Sequence, residues 1–481
     1  MTKVLLAVPP GLSESKYQVS SFLNFTAPPL GLAYMSAVLE EAGFVGKVKI
    51  LDSKTIGATL HSLREVIRKF KPDVVGFQVK TPNFNDAVQA TKVCKELGVE
   101  YVVWGGHHPS PLAEECAAIP GVDIVFRGEA EYTFRDFIIA LDEGKDWQKI
   151  LGITYIDEFG FPHSNPSAPL IKDINELPFP SRHLLPMDKY RIFGSAFQAT
   201  TMITSRGCPY DCEFCSVTSF YGAKWRTRTP ENIAAEMAEL ADEGIQAVAF
   251  VDDLFFTSRK RVFSICKAIG DIKREIYWGA TIRADRADYR MLRAMRKTGC
   301  RLVFAGVESY DQAILDSVKK GTNTNDIEQF FKVSRKAGVD TLASFSFGFP
   351  GETIQTVRKT IRWAIHVLDP SLAIFTISTP YPGTPFFSQM DKEGRIAERD
   401  YSKYTLFHPI VELTGITREE LKKEVIQAYK EFYLRPSKMV QNMKREFRYA
   451  LESYGLKQFF QNSQVALRVV FKMGSLNTTV S

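Results

Sequence analysis

The sequence lacks any apolar run long enough to cross a membrane, because no stretch reaches the roughly 18 apolar residues of a spanning helix. The first apolar segment stops at Pro9-Pro10 and is too short for the core of a signal peptide. The net charge of +6 is low for 481 residues, and nucleic-acid binders concentrate basic residues far more heavily. These absences predict a cytoplasmic protein that does not bind nucleic acid.

Cysteine is scarce, with seven residues in the whole chain. A disulfide framework would need a denser and more even set, so the count favours a reducing compartment. Three of the seven, Cys208, Cys212 and Cys215, lie within eight residues of one another, and this spacing indicates a metal site. The others lie in or beside helical patterns and are expected to be small buried apolar residues: Cys94, Cys116, Cys266 and Cys300.

Residues 1–143 alternate short apolar runs with helical patterns joined by short loops. The run at 3–9 is followed by Pro-Pro-Gly, and the run at 101–104 is followed by Gly105-Gly106. Such alternation predicts an α/β domain with a doubly wound, Rossmann-like parallel sheet. Ligands of these sheets bind at the C-terminal ends of the strands, so we expect a site there.

The rest of the chain predicts three further parts. Residues 144–193 hold several prolines and two short strand patterns, 153–156 and 168–171, and are predicted to connect two domains. Residues 194–415 contain six strand candidates that alternate with helices. Eight such units close a TIM barrel, so six predict a partial (β/α)6 barrel with a wide mouth. Residues 416–481 are predicted to be helical, with 12 Lys or Arg against 6 Asp or Glu from Arg418 onward.

The cysteine trio has the spacing C-x₃-C-x₂-C in a loop that follows a strand candidate. Three thiolates in a tight loop can hold three irons of a [4Fe-4S] cube and leave the fourth iron open to another molecule. A structural zinc site would normally use four closed ligands. No fourth cysteine or histidine lies near in the sequence, although the fold could supply one, so a zinc site stays the alternative.

This C-x₃-C-x-aromatic-C loop, placed after the first strand of a βα barrel, resembles that of the radical S-adenosylmethionine (SAM) superfamily. The resemblance implies that SAM binds the open iron through its amino and carboxylate groups. One electron from the cluster would then split SAM to methionine and a 5′-deoxyadenosyl radical. Each further motif, taken alone, also fits a helix cap or a turn. The implied SAM-binding residues follow the barrel strands: Phe214 near the adenine, Asp253 at the ammonium, Arg283 at the carboxylate, Glu308 at the ribose, and Gly348 in a turn beside the adenine.

Residues 1–143 resemble the cobalamin-binding domain that precedes many radical SAM domains. Many such domains place a histidine within D-x-H-x-x-G on the lower face of cobalt, but Lys54 occupies that position here. A protonated lysine cannot ligate a metal, so we expect a lower face without histidine. A domain without a ligand, or with a nucleotide, is the alternative. The implied cobalamin-binding residues lie in loops: Thr81, Gly105, Gly106, His107, Gly128 and Glu129.

The resemblance implies a cobalamin-dependent radical SAM enzyme, with methylation of an unactivated carbon as the leading reaction and cobalamin as the methyl carrier. Radical ring formation by an oxidative cyclase is the near alternative. A non-enzymatic iron-sulfur or cobalamin carrier is the alternative from another class. A methylthiotransferase fits less well, because that family uses three further N-terminal cysteines and only Cys94 and Cys116 precede the connector.

Composition adds expectations about substrate and partners. The 35 Phe and 18 Tyr residues and the basic tail favour a bulky small-molecule or lipid substrate, such as a membrane lipid or a tetrapyrrole. The chemistry requires a low-potential electron donor, such as ferredoxin or flavodoxin. The tail interleaves basic and apolar residues, so it either caps the barrel or lies peripherally on an anionic membrane surface.

Overall fold

The computed structural model describes residues 1–11, 26–191 and 198–449, and every structural statement below concerns these ranges. The described residues form a mostly parallel sheet and a fully parallel sheet, both covered by helices, and a helical C-terminal segment. This architecture confirms the α/β class predicted from the alternating sequence pattern.

The first sheet contains seven strands: β1 (Val4–Val8), β2 (Val48–Asp52), β3 (Val74–Gln78), β4 (Tyr101–Gly105), β5 (Ile124–Phe126), β6 (Ile153–Ile156) and β7 (Pro162–Ser164). Its helices are α1 (Leu30–Glu41), α2 (Ser53–Ile56), α3 (Leu60–Phe70), α4 (Phe84–Glu96), α5 (Ala113–Ala117) and α6 (Glu131–Asp142). The strand order is β2-β1-β3-β4-β5-β6-β7. Strands β1 to β5 are parallel, and β1 is buried along its whole length, as expected for a sheet covered on both faces. The doubly wound prediction is confirmed.

The segment predicted to connect the domains begins by extending the first sheet. Strand β6 pairs antiparallel with β5, and β7 pairs antiparallel with β6. The strand predicted at 168–171 is wrong, because those residues form no strand. Pro169 has no N–H to donate, and the N–H of Ile171 donates to the Glu129 carboxylate at 3.0 Å rather than to a ladder. Two 3₁₀ turns follow, at Arg182–Leu184 and Met187–Lys189.

The second sheet contains six strands: β8 (Ala199–Met202), β11 (Ala247–Phe250), β12 (Tyr277–Ile282), β13 (Cys300–Glu308), β14 (Asp340–Phe347) and β15 (Leu372–Ile377). A separate two-stranded antiparallel ribbon joins β9 (Ser205–Arg206) to β10 (Arg226–Thr227). The six strands are parallel, neighbour one another in chain order and form a curled half-barrel. The predicted partial (β/α)6 barrel is therefore confirmed, with each predicted strand within a few residues of the observed one.

Helices cover the outside of this barrel: α8 (Pro230–Asp242), α9 (Arg259–Gly270), α10 (Tyr289–Lys297), α11 (Gln312–Ser317), α12 (Thr324–Ala337) and α13 (Ile354–Trp363, continued by a π-helical turn, Ala364–Leu368). Two further helices are α7 (Ser216–Tyr221), which precedes β10, and α14 (Pro385–Lys392), which follows β15. Further 3₁₀ turns lie at Thr81–Asn83, Ala284–Arg286 and Tyr401–Lys403. The largest buried apolar cluster lies between the barrel sheet and the helices that cover it. That core fixes the strand ends from which the site is built.

Two C-terminal helices, α15 (Arg418–Tyr433) and α16 (Pro436–Tyr449), follow the barrel. Helix α15 packs against the last strand: the Tyr433 hydroxyl donates to the carbonyl of Ala373 at 2.8 Å, and the Tyr429 hydroxyl accepts from the N–H of Phe375 at 3.1 Å. These contacts cover an edge that would otherwise present unpaired backbone groups. The helical C-terminal prediction is confirmed through residue 449, and residues 450–481 lie outside the described residues.

Candidate functional site

The three clustered cysteines lie together in the loop between β9 and α7, each half-buried and with a free thiol. Burial raises the pKa of Cys215 to about 11, and the neighbouring Cys212 and Cys208 raise it further. Burial also raises the pKa values of Cys208 and Cys212, while the Arg283 guanidinium lowers both. The loop therefore collects three thiols beside a fixed positive charge, as the spacing predicted.

The entry to this loop is held by two adjacent carboxylates at the end of β11. Asp252 is buried and accepts hydrogen bonds from the N–H groups of Thr204, at 2.6 Å, and Ser205, at 3.1 Å. Asp253 accepts a bond of 2.8 Å from the N–H of Gly207. The Asp253 side chain is reached by solvent but surrounded by protein, and this partial burial raises its pKa to about 6. The structure thus places Asp253 at the loop, where its predicted SAM role stays a prediction.

Arg283 lies behind the same loop and its guanidinium is 8% exposed. Its Nε donates to Asp285 at 2.9 Å, and its Nη2 donates to the carbonyl oxygens of Lys320, at 2.9 Å, and Gly321, at 3.1 Å. Its guanidinium carbon lies 3.7 Å from the centre of the Tyr210 ring, inside the cysteine loop. Arg283 therefore links the third strand, the turn after α11 and the loop through planar contacts that a lysine could not reproduce.

Glu308 ends β13 with a positive φ of 65° and pairs with Lys320 at 2.7 Å. Both side chains are buried. Burial lowers the pKa of Lys320, but the Glu308 carboxylate and the Cys212 thiol raise it, so the net shift is upward. The sequence reasoning missed Lys320. No local pattern singles out Lys320, because its partner Glu308 lies twelve residues earlier, on the other side of helix α11 in the chain.

Phe214 and Gly348 lie on the far side of the loop. The Phe214 ring lies 5.2 Å from that of Phe349 and lines a cavity of about 100 Å³ together with Val318 and Phe386. Gly348 has a φ of +98°, and its N–H donates to the buried carboxylate of Glu352. Burial raises the pKa of Glu352 to about 7. The structure thus brings the predicted adenine-side residues together.

The predicted residues of the first domain lie on the loops that follow β3, β4 and β5. Gly106 has a φ of +115°, and a Cβ there would lie 2.7 Å from the carbonyl oxygen of Val79, so the fold itself requires glycine. Gly105 has no such restriction, since its nearest contact would be an ordinary 3.7 Å. Thr81 lies 3.1 Å from Nδ1 of buried His108. Burial lowers the pKa of His108 to about 4, so its imidazole is neutral at neutral pH.

His107 brings the first domain onto the barrel. Its ring stacks on Phe220 of helix α7, with 4.6 Å between ring centres and 22° between ring planes. His107 is exposed, but desolvation by the protein groups around its ring, with a smaller effect of Lys80, lowers its pKa. A second contact joins the same faces, because a Cβ at Gly383 would lie 2.6 Å from Pro111. The C-terminal ends of both sheets therefore face each other, with the cysteine loop beside the contact.

Gly128 and Glu129 differ in their surroundings. Gly128 has a φ of +69°, and a Cβ there would point into open space. Glu129 is buried and receives Arg206 at 2.9 Å and Arg226 at 2.6 Å. Its carboxylate is thus occupied by protein donors, an arrangement that the sequence reasoning did not anticipate. Arg206 precedes Gly207-Cys208 directly, which is the signal that could have identified it.

Lys54, which replaces the histidine of the cobalt-binding motif, is exposed in helix α2. The neighbouring Asp52 is buried and accepts a 2.8 Å hydrogen bond from the Tyr190 hydroxyl. That contact joins the motif to the segment between the domains. The aspartate of the motif therefore has a structural partner here.

The residues present fit the implied groups. Three thiols in one loop, with Arg283 and Lys320 beside them, match the donor set and charge of a cluster bound by three cysteines. Among the described residues no three His, Cys, Asp or Glu side chains converge on one metal-ion position. A cubane does not require such convergence, because each thiolate binds a different iron. For cobalamin, the open space at Gly128 leaves room for close approach of a ligand.

Comparison with known proteins agrees with this geometry. Residues 202–364 match the radical SAM superfamily, and residues 22–138 match the B12 binding domain. The chain is 36% identical to an uncharacterized methyltransferase of Pyrococcus horikoshii over 92% of this chain and 94% of the relative. It is 27% identical to an anaerobic magnesium-protoporphyrin IX monomethyl ester cyclase of Cereibacter sphaeroides, over 85% of this chain and 67% of the relative. The fold is that of the radical SAM methyltransferase TsrM of Kitasatospora setae, solved with cobalamin and a [4Fe-4S] cluster, with a TM-score of 0.71, 17% identity and coverage of 98% and 100%.

Proposed function

The chain belongs to the cobalamin-dependent radical SAM enzymes, and from this premise we propose that it methylates an unactivated carbon atom of a bulky substrate of the lipid or tetrapyrrole kind. Its cofactors are a [4Fe-4S] cluster, SAM and cobalamin. The observation that best supports methyl transfer is the stacking of His107 on Phe220. This contact places the candidate cobalamin loop against Phe220, which lies five residues after Cys215 in the chain. Methyl transfer requires the two cofactor sites to be close to each other.

In this proposal Cys208, Cys212 and Cys215 hold the cluster. When bound, the cluster and SAM supply a radical that removes a hydrogen atom from the substrate, and cobalamin supplies the methyl group. Arg283 favours the thiolate forms of Cys208 and Cys212 and keeps Tyr210 in place from behind the loop. The buried pair of Glu308 and Lys320 sets a carboxylate at the end of the fourth barrel strand.

The remaining SAM contacts are assigned from position. Phe214, with Phe349 and the adjoining cavity, would receive the adenine, and Gly348, whose positive φ shapes the turn before Phe349, would lie beside it. Asp253 would face the ammonium group with the carboxylate oxygen that does not accept from Gly207. The cavity beside Phe214 is lined by apolar residues, Val318, Pro350 and Phe386, and by polar ones, Glu213, Ser317 and Gln389.

The cobalamin contacts are proposed at loops rather than at a histidine below cobalt. Thr81, Gly105, Gly106, His107 and Gly128 lie on the three loops at the ends of β3, β4 and β5, where ligands of doubly wound sheets bind. Glu129 would act on the cofactor site indirectly, because its carboxylate already binds two arginines.

Anaerobic reconstitution with iron, sulfide, cobalamin, SAM and a low-potential reductant tests this function. We expect formation of 5′-deoxyadenosine by the reduced protein, and a product of lipid or tetrapyrrole extracts that is heavier by a CH₂. A cyclase, the reading favoured by the relative that acts on magnesium-protoporphyrin IX monomethyl ester, would give a product that has lost hydrogen. An iron-sulfur or cobalamin carrier would give no deoxyadenosine and would refute the proposal.

The reductant is proposed to be a ferredoxin or flavodoxin. A peripheral membrane contact is proposed to use the exposed apolar side chains of α16. None of the described helices is long and apolar enough to cross a membrane. Two basic side chains of α16 pair with carboxylates of the barrel: Lys438 with Asp369, and Arg448 with Asp340 at 2.6 Å. Met443 and Phe447 are exposed. Vesicle flotation should therefore weaken in Met443→Ser/Phe447→Ser; flotation that these substitutions leave unchanged would contradict this surface.

A further inference from the structure

Four buried charges connect the two domains beside the cysteine loop. Glu129 accepts from Arg206 Nη1 at 2.9 Å and from Arg226 Nη1 at 2.6 Å, and Glu131 accepts from Arg206 Nη2 at 2.7 Å. The two glutamates follow β5 of the first domain, and the two arginines are register partners on the ribbon of the second. The four side chains are between 2% and 11% exposed. We call these four residues the interdomain ion cluster.

The interdomain ion cluster is continuous with both candidate cofactor sites. On one side, Arg206 is followed by Gly207 and Cys208, and the backbone around it is already held by Asp252 and Asp253. The barrel therefore holds the backbone of the loop entry, while the first domain holds its side chain.

On the other side, Glu129 follows Gly128, whose N–H donates to the Ser110 hydroxyl at 3.0 Å. Ser110 in turn donates to the carbonyl of Gly106 at 2.8 Å. Two of the three proposed cobalamin loops, those after β4 and β5, are thus joined to the cysteine loop by an unbroken series of short contacts that passes through Arg206.

Burying these four charged groups has a high cost in desolvation free energy, and well-packed apolar residues are often as stabilising. The cost is higher here because Nε and Nη2 of Arg226 have no hydrogen-bond partner among the described residues. The cluster instead fixes orientation. The contacts of Arg206 with Glu129 and Glu131 favour one relative orientation of the two domains.

We propose that Arg206 is a positioning residue that, through Glu129 and Glu131, sets the distance between the cysteine loop and the cobalamin loops. This inference rests on the proposed function, since it concerns the separation of the two cofactors. A misplacement of about 1 Å can cost on the order of 100-fold in rate, so a small change at the cluster is expected to matter.

A matched control lies elsewhere in the barrel. Glu236 on α8 is 1% exposed and also binds two arginines, Arg182 at 2.7 Å and Arg228. These contacts join the interdomain segment to the outside of the barrel and do not involve the cysteine loop. Glu129→Gln and Glu236→Gln therefore remove the same charge from similar surroundings at two different places.

The experiment measures the distance between reduced cluster and cob(II)alamin by pulsed electron paramagnetic resonance in reconstituted full-length protein, together with deoxyadenosine formation. In Glu129→Gln we expect a distance distribution shifted or broadened by more than about 1 Å. Glu236→Gln should lose comparable thermal stability and keep the original distribution. Hydrogen exchange of residues 207–221 should rise in Glu129→Gln alone.

The outcomes separate the two claims. An unaltered protein that binds iron but forms no deoxyadenosine contradicts the proposed function and leaves the hydrogen-exchange comparison to decide the positioning role. An unchanged distance and unchanged hydrogen exchange in Glu129→Gln would overturn the inference. So would equal changes in Glu236→Gln. If Glu129→Gln does not fold, Glu131→Gln, which removes a single contact with Arg206, is measured against the same control.

Discussion

The carboxylate of Asp253 accepts a hydrogen bond of 2.8 Å from the N–H of Gly207, the residue directly before Cys208. With Asp252 bound to Thr204 and Ser205, the end of the second barrel strand holds the whole entry to the cysteine loop. The loop geometry is therefore set by the protein in advance of any ligand, which lowers the entropy lost when a cluster binds.

The first prediction concerns Gly207, whose φ is +83° and whose Cβ, if present, would lie 1.9 Å from the carbonyl oxygen of Lys224. Gly207→Ala should displace the ribbon and reduce iron binding severely, at a cost above about 2 kcal/mol. Gly338→Ala is the control, because Gly338 has a left-handed helical conformation with a φ of +73°, and a Cβ there would approach only Arg296, at 4.0 Å. The control should lose about 1 kcal/mol and bind iron normally. Iron content and unfolding midpoints check both variants, and equal iron content would contradict the steric argument.

The second prediction tests the thiols one at a time. Cys208→Ala, Cys212→Ala and Cys215→Ala should each abolish deoxyadenosine formation, because each thiolate would hold a separate iron. Cys266→Ala removes a buried thiol of the barrel core and should keep the activity, at a modest cost in stability. Visible absorbance and product analysis after anaerobic reconstitution provide the measurement. Full activity in any of the three loop variants would remove the basis of the assignment.

The third prediction concerns Arg283 and its planar contacts with Asp285, two carbonyl groups and Tyr210. Arg283→Lys keeps the charge but loses the fork and the stacking, so it should cost about 2–3 kcal/mol and raise the apparent KM for SAM. Arg286→Lys is the matched control, since Arg286 is 49% exposed and contacts the same Asp285 at 3.3 Å. It should change stability by less than about 1 kcal/mol. Similar losses in both variants would argue against a special role of the fork.

The fourth prediction is a pH dependence at Glu352, whose pKa burial raises from 4.5 to about 7. The folded protein holds this proton more tightly than the unfolded chain, so the contribution of Glu352 to stability falls as pH rises from about 4.5 to 7. The glutamine in Glu352→Gln cannot titrate. Between pH 4.5 and 7 the free energy of unfolding of this variant should therefore fall by up to about 3 kcal/mol less than that of the unaltered protein. Urea unfolding at pH 5 and pH 7.5 measures it. Parallel pH profiles for the two proteins would contradict the raised pKa.

The sequence supported correct predictions wherever the signal was local and periodic. The six barrel strands were identified within a few residues, because buried parallel strands appear as short apolar runs between helical patterns. The cysteine loop was identified because its three thiols lie within eight residues. The strand predicted at 168–171 was wrong, because apolar content alone does not reveal that Pro169 cannot donate to a ladder and that Ile171 donates to Glu129 instead.

Distant partners could not be found in the same way. Lys320 beside Glu308 and Arg206 beside Glu129 belong to contacts that span 12 and 77 residues. Neither lysine nor arginine carries a sequence signal for burial, since both are mostly exposed in proteins. The loop position of Glu129 predicts a contact with cobalamin. In the structure, two arginines bind its carboxylate.

The amino-acid sequence by itself determined the order of the two parallel sheets, the loop that carries the three thiols and the absence of a histidine at Lys54. These features follow from periodicity and spacing, which act over a few residues. Tertiary structure alone decided how the sheets face each other and which charges hold them there. Orientation between domains depends on side chains that approach only after both cores have formed, and buried ion pairs permit few orientations because an unpaired charge in that place would be too costly.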